Sequence, residues 1–396
     1  MIMRTIWVVL VVGWIGCRSP ASQESRIYPL LDRWQGRFDL VLTRAADRQS
    51  TSAVLPEVAA LSQMESLLLL GAREAQPPAY FFGQVVYAAF DPAGGLVVVD
   101  EENYALLFFD QTGQFRFRLG RQGEGPGEFL APPVYAAFDR QGRLYVVERS
   151  SGRVHRFLKR NDTFIWNRTY ELRTALNGEV LGGCLMQDTL YVYANPLNWW
   201  EQPRLHVLTL DGEHVRAFGL LDFYPREGLP EGTPPIRLEA RLFCDPDHAG
   251  LILAYRYLPV VESYTTEGRR RWRLRLDDVP LLAHRIQGAI IEPILRPRGI
   301  RFRNVVVFPS GVIVLHVVEQ VMRRDQPTII DQERTYIFWI RPDFQDWGWL
   351  EMSLPFRQLY DRQGRLWLGT PMETTLPRVA LFQLPENVSL AVARRP

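Results

Sequence analysis

Cysteine and histidine are scarce in this 396-residue sequence, with 3 and 6 copies, and the scarcity removes whole classes of function. The histidines at 155, 206, 214, 248, 284 and 316 show no metal-ligand spacing, so no zinc motif is present. There is no Gly-x-Ser-x-Gly, no His-Glu-x-x-His and no phosphate loop. Gly123-Glu-Gly-Pro-Gly127 is rich in glycine, but it lacks a Lys-Ser/Thr pair and a following helix, so it reads as a plain crossing loop. A net charge of +2 gives no reason to expect nucleic acid or an anionic membrane as a partner; nearly all of the 46 basic residues are arginine. The apolar segment Ile6–Gly16 is too short to span a bilayer as a helix.

What is present is a repeat. The chain is 47% hydrophobic and 12% aromatic, enough for a large core, and its 29 glycines and 28 prolines supply many turns. Val85–Phe129 holds four short apolar runs, Val85–Phe90, Leu96–Val99, Ala105–Phe109 and Phe115–Leu119, separated by turn residues. Then the unit restarts: Val134-Tyr-Ala-Ala-Phe-Asp139 copies Val86-Tyr-Ala-Ala-Phe-Asp91 letter for letter. A four-strand unit recurring near every fifty residues is a propeller blade. Second strands start at Leu96, Leu144, Leu190, Leu251, Val312 and Leu366, with gaps of 48, 46, 61, 61 and 54. Six second strands mean six blades. The last unit, Arg357–Asp361, Leu366–Gly369 and Val379–Gln383, lacks a fourth strand, whereas Ser66–Gly71 stands before the first blade as a fourth strand without a first three. The expected fold is therefore all-β: a six-bladed β-propeller of four-stranded antiparallel blades, its last blade closed by an N-terminal strand that removes a sheet edge. Because four consecutive leucines put apolar groups on both faces, part of residues 27–60 is expected to cover that strand. Long inserts, Leu221–Pro235 and Leu281–Gly299, interrupt the middle blades.

The amino terminus resembles a bacterial lipoprotein signal: Arg4, the apolar run, then Gly16-Cys17 and a polar stretch. This divides the chain into a signal peptide (1–16), a lipid-anchor tether and N-terminal extension (17–63) and the propeller (64–396), with Cys17 as the lipidated residue. The expected location is the cell envelope, lipid-anchored at the outer membrane or periplasmic face, or secreted if Cys17 is not acylated. Within the repeat, Asp-x-x-Gly-x-Leu-x-Val-Val followed by Gly120-Arg-Gln-Gly-Glu-Gly-Pro-Gly-Glu-Phe129 resembles the NHL-type repeat. It is similar to the secreted six-bladed β-propeller lipoproteins of bacteria, specifically over residues 66–160 and diffusely beyond. The resemblance implies a fold and little about function, because such propellers include peptide-binding, scaffold and enzymatic members.

In this architecture the loops joining second to third strands lie on one face with those crossing to the next blade. That face collects Asp100–Asn103, Gly123–Pro133, Glu148–Gly152, Asn195–Pro203, Arg256–Pro259 and Thr370–Thr375, and loops on a rigid scaffold tend to carry binding residues. Asn195-Pro-Leu-Asn198-Trp199-Trp200-Glu201 offers two adjacent tryptophans among polar groups. One exposed ring would suit stacking on a sugar or peptide, and two packed rings would be structural. The ligand-binding expectation rests on Trp199, Trp200, Asn195, Asn198 and Glu201. Asp100-Glu101-Glu102 reads as a solvated turn rather than a metal site. Arg269–Arg275 alternates like a half-buried strand with a solvated arginine face. Cys184 and Cys244 read as two small buried thiols, with a disulfide as the alternative an oxidising envelope permits. The first strands are mostly apolar, Asn304, Arg241, Arg357 and Gln358 being the main exceptions, which argues against a catalytic channel. The expected function is an envelope-exposed binding or scaffold propeller, monomeric, without metal or cofactor, recognising a peptide, glycan or partner protein through one face. The alternative is a propeller hydrolase or lyase acting at the channel mouth.

Overall fold

The computed structural model of the chain describes residues 26–28, 38–44, 54–71, 78–176, 178–196, 202–222, 240–255, 258–277, 283–287, 290–294, 298–322, 330–372 and 376–386. Six antiparallel blades follow one another, each running from an inner strand at the central channel to an outer one. Blade one is Val85–Phe90, Leu96–Asp100, Ala105–Phe109 and Phe115–Leu119. Its second and third strands are buried along their whole length, since both faces pack on neighbouring blades. Blade two opens with Pro133–Phe138, and blades three to six open with Gly178–Met186, Ala240–Asp245, Arg298–Val307 and Phe356–Gln363. The second strands of blades three to five begin at Thr189, Gly250 and Ile313, within one residue of the expected starts.

The ring closes through the N-terminal strand. Glu65–Leu70 pairs antiparallel with Val379–Gln383, with Val379 opposite Leu70 and Ala380 opposite Leu69. Each blade interface then holds an apolar cluster. Leu70, Val379 and Leu368 of blade six meet Ala88, Leu96 and Val98 of blade one. On the other face Leu69, Ala380 and Phe382 meet Phe308, Val312 and Trp339 of blade five. Leu68, Leu69 and Leu70 therefore serve two neighbouring blades, while Leu67 stays 51% exposed. The preceding helix, Pro56–Ser62, instead buries Val58, Ala60 and Leu61 in the five–six interface.

Three expectations are corrected. Cys184 and Cys244 are joined in a disulfide, with Cα atoms 5.5 Å apart. They lie 60 residues apart in the chain, but inner strands of adjacent blades converge at the axis, a proximity that sequence separation hides. The arginine face of Arg270–Leu276 is not all solvated: Arg273 is fully buried, 2.8 Å from the equally buried Glu262. The reason is an extra strand, Leu40–Leu42, which pairs in parallel with Leu274–Leu276 and covers what would have been a blade edge. Asp39 completes the cover by accepting the Arg273 main-chain N–H at 2.8 Å. The acidic turn after Leu96–Asp100 is likewise built in, for Asp100 is buried and accepts the N–H groups of Gly83 and Gln84, each at 3.0 Å. Glu148 does the same one blade on, accepting from Leu130 and Ala131. Both carboxylates thus pin the chain entering the inner strand of their own blade.

The glycine-rich segment is the crossing loop between blades one and two. Phe129 is fully buried there, with its N–H on the Arg121 carbonyl at 2.9 Å. Gly120, at φ +83°, lets the ring approach: a Cβ would stand 2.2 Å from it. The insert after blade four forms a hairpin, Ala283–Gln287 and Ile290–Ile294, joined by Arg26–Tyr28 as a third strand. Among the described residues no helix is long and apolar enough to cross a membrane.

Candidate functional site

Trp199, Trp200, Asn198 and Glu201, like Cys17, lie outside the described residues. Asn195 is described, and it is buried: its side-chain oxygen accepts a 3.2 Å hydrogen bond from the fully buried Arg204. It therefore braces the root of the loop. Asn304, Arg241 and Arg357, three of the four polar exceptions on the inner strands, are brought together at the channel mouth of blades four to six.

Asn304 organises this mouth. A bulge between Phe302 and Asn304 breaks the ladder of blade five, and the buried Asn304 side chain turns to blade six instead. It accepts the Leu359 N–H at 2.7 Å and donates to the Arg357 carbonyl at 3.3 Å, two bonds that fix the blade-six inner strand. Its amide also donates to His316 Nδ1 at 2.7 Å. Burial, aided by the charges of Arg303 and Arg241, pushes the His316 imidazole down to about 3, so it is neutral. The bulge leaves Arg303 beside the channel, where Glu333 pairs with it at 3.0 Å. Arg241 donates to the Arg303 carbonyl at 3.2 Å. Burial first, and repulsion from Arg357 second, hold the Arg303 guanidinium below its ordinary value. Three arginines from three successive inner strands thus share one mouth. Beside it opens a cavity of about 380 Å³, lined by Glu333, Arg334, Thr335, Glu351, Ser353 and Arg357 together with two methionines.

Deeper in the channel the lining turns aromatic. Tyr87 and Tyr135 meet at a tilt of 56° with centroids 4.7 Å apart, Tyr360 approaches Tyr87 at 5.9 Å, and the Leu185 N–H donates to Tyr135 Oη at 2.8 Å. Asp361 follows on the same inner strand as Tyr360, accepting the N–H groups of Phe90 at 3.1 Å and Arg362 at 2.8 Å. Its depth in the channel wall outweighs those bonds and pushes the carboxyl up to about 6, which lets it exchange a proton near neutral pH. Burial also raises Tyr87, with Tyr135 the next contributor. Asp361 and Arg303 are not among the polar exceptions read on the inner strands, Asn304, Arg241, Arg357 and Gln358. A signal for the tyrosines did exist, because Tyr87 and Tyr135 occupy the same place in the two copies of Val-Tyr-Ala-Ala-Phe-Asp. Among the described residues no group of three or more His, Cys, Asp or Glu side chains is placed to hold a metal ion.

A family model described as a 6-bladed beta-propeller, DUF5128, matches residues 91–194, from the first turn of blade one into blade three. No curated protein matches the chain. Among solved structures, a member of the DUF4221 family from Bacteroides vulgatus is similar at 11% identity and a TM-score of 0.53, over 81% of this chain and 97% of that one. A candidate exported protein from Bacteroides fragilis is similar at 9% identity and a TM-score of 0.53, over 87% of this chain and all 100% of that one. At such identities the likeness is one of fold alone.

Proposed function

We propose that the chain is an extracytoplasmic, lipid-anchored binding propeller that recognises a peptide, glycan or partner protein on the face carrying the crossing loops. The observation that carries this reading is the convergence of Arg241, Arg303 and Arg357 beside a 380 Å³ cavity at that face. Inner strands that only formed a core would be expected to keep that position apolar. The sequence assigns Asn195–Pro203 to the same face, and Trp199 or Trp200 is the proposed aromatic anchor. The likeness to NHL-type repeats belongs to this reading, as does the anchor at Cys17. A Cys184–Cys244 disulfide agrees with an oxidising compartment.

The test is binding of the full chain to peptide and glycan arrays, with Trp199→Ala and Trp200→Ala compared separately. Loss of a true anchor weakens binding about thirtyfold, or roughly 2 kcal/mol. If neither class of ligand binds, or both variants bind as well as the parent once folded, the loop is not the site. The anchor is checked by cell fractionation: Cys17→Ser should move the protein out of the membrane fraction. A Cys17→Ser protein that stays with the membrane removes the lipid from the reading.

A further inference from the structure

We propose that the basic mouth of the channel is an oxyanion site, in which Arg303 and Arg357, backed by Arg241, hold a carboxylate or phosphate group of the ligand. The inference rests on the binding reading above and names the group that is recognised.

Charge and its placement carry the argument. Arg241, Arg303 and Arg357 come from the inner strands of blades four, five and six; Glu333 is the carboxylate paired with Arg303, and Glu351 stands in the cavity lining with Arg334 and Arg357. A partly buried cation is costly unless anions offset it, and Arg357 adds its repulsion to the burial of Arg303, so a ligand oxyanion shared by these two relieves a repulsion already present. The guanidinium fork matches carboxylate and phosphate oxygens in two-point contact. Glu333 shows the chemistry in place, since one oxyanion already sits on Arg303 at 3.0 Å. Rigidity comes from Asn304, which holds the main chain on both sides of Gln358 and so fixes where Arg357 starts. Arg357 itself is exposed and lines the cavity, so a solute can reach it. The cavity falls within the usual size of small-molecule sites. Thr335 and Ser353 add hydroxyls to its wall, and Met352 and Met372 add an apolar one. An oxyanion attached to a larger, partly apolar body fits that lining.

Glu333 makes the proposal sharp. If it occupies the fork in place of ligand, it competes with ligand, and removing it should tighten binding. A purely structural ion pair predicts no such gain.

The experiment follows thermal unfolding and calorimetric titration of the full chain with succinate or inorganic phosphate, at an ionic strength held constant with sodium chloride. The parent should show a saturable rise in midpoint. Arg357→Gln should bind about tenfold more weakly, a loss of about 1.4 kcal/mol, with Arg357→Lys between the two because it keeps charge without the fork. Glu333→Gln should bind about threefold more tightly. Preference for succinate assigns a carboxylate and preference for phosphate assigns a phosphoryl group; equal binding leaves the shared oxyanion. No saturable rise in the parent, or unchanged affinity in both Arg357→Gln and Glu333→Gln, overturns the site. Should Arg357→Gln not fold, Arg357→Lys and Glu333→Gln still decide. The wider binding reading fails separately: array ligands that bind Arg357→Gln as well as the parent remove the oxyanion site and leave the binding face standing. An anion response without any array ligand does the reverse.

Discussion

Asn304 and His316 show how two buried side chains set the geometry of the channel mouth. Neither is exposed beyond a trace, at 1% and 2%, so each needs its partner, and each finds it across a blade boundary or the next strand. The same burial has a consequence in pH. His316 is pushed down to about 3 by burial and then by Arg303 and Arg241, while His206 is pushed down to about 4 by burial and then by His214. In the unfolded chain both return to about 6.5. Below that pH the unfolded state therefore binds protons that the folded state refuses, and stability falls as pH drops from 6.5 toward 4. Asp361 acts oppositely. Its raised folded value favours the fold below the ordinary carboxyl range and loses that favour as pH rises toward 6. With two histidines against one carboxyl, the expected net outcome is a lower unfolding midpoint at pH 4.5 than at pH 7. The measurement is the midpoint against pH for the parent and for His316→Gln and His206→Gln. Each variant should flatten part of the slope, at about 1.4 kcal/mol for each unit of separation removed. Parallel curves for all three would assign the slope to other groups.

At the scale of strands, the blades were legible in the sequence wherever alternation and turn residues coincide. Blade one and the first two strands of blade two were read to within a residue, because turn residues such as Asp91–Gly95 punctuate blade one and the second copy keeps the same letters. The inner strand of blade five begins at Arg298, inside the expected insert Leu281–Gly299, since its opening residues carry charge where a buried strand should not, and that charge belongs to the mouth itself. Departures from pattern fell where the chain has work at the channel. What stayed hidden was contact between distant segments. The parallel strand Leu40–Leu42, the burial of Arg273 and the Cys184–Cys244 bond all depend on which blade faces which. No local period encodes that. The bond is more than decoration: with a sequence separation of 60, closing the loop is worth about 4 kcal/mol in the chain-entropy account, and it ties blades three and four beside the channel lining.

Closure belongs to the whole molecule, because a propeller blade left without its outer strand exposes a sheet edge and an interface cannot form on one side only. The strand Glu65–Leu70 answers for this ring, and its leucines are not equivalent. Leu70 is 2% exposed in the six–one interface with Leu96 and Val98, whereas Leu67 is 51% exposed. Leu70→Ala should therefore cost about 2–5 kcal/mol, the range for an emptied core position. Leu67→Ala should stay within about 0.5 kcal/mol, as for a surface change. Because this strand completes the blade that packs on blade one, the loss at Leu70 should spread. Protection of amide hydrogens should fall in blade six and blade one together, while blade three, half a turn away, keeps its own. Exchange rates measured on the two variants check both parts. If Leu67→Ala loosens the ring as much as Leu70→Ala, the strand is held by its backbone ladder alone and the six–one apolar cluster is not what seals the circle.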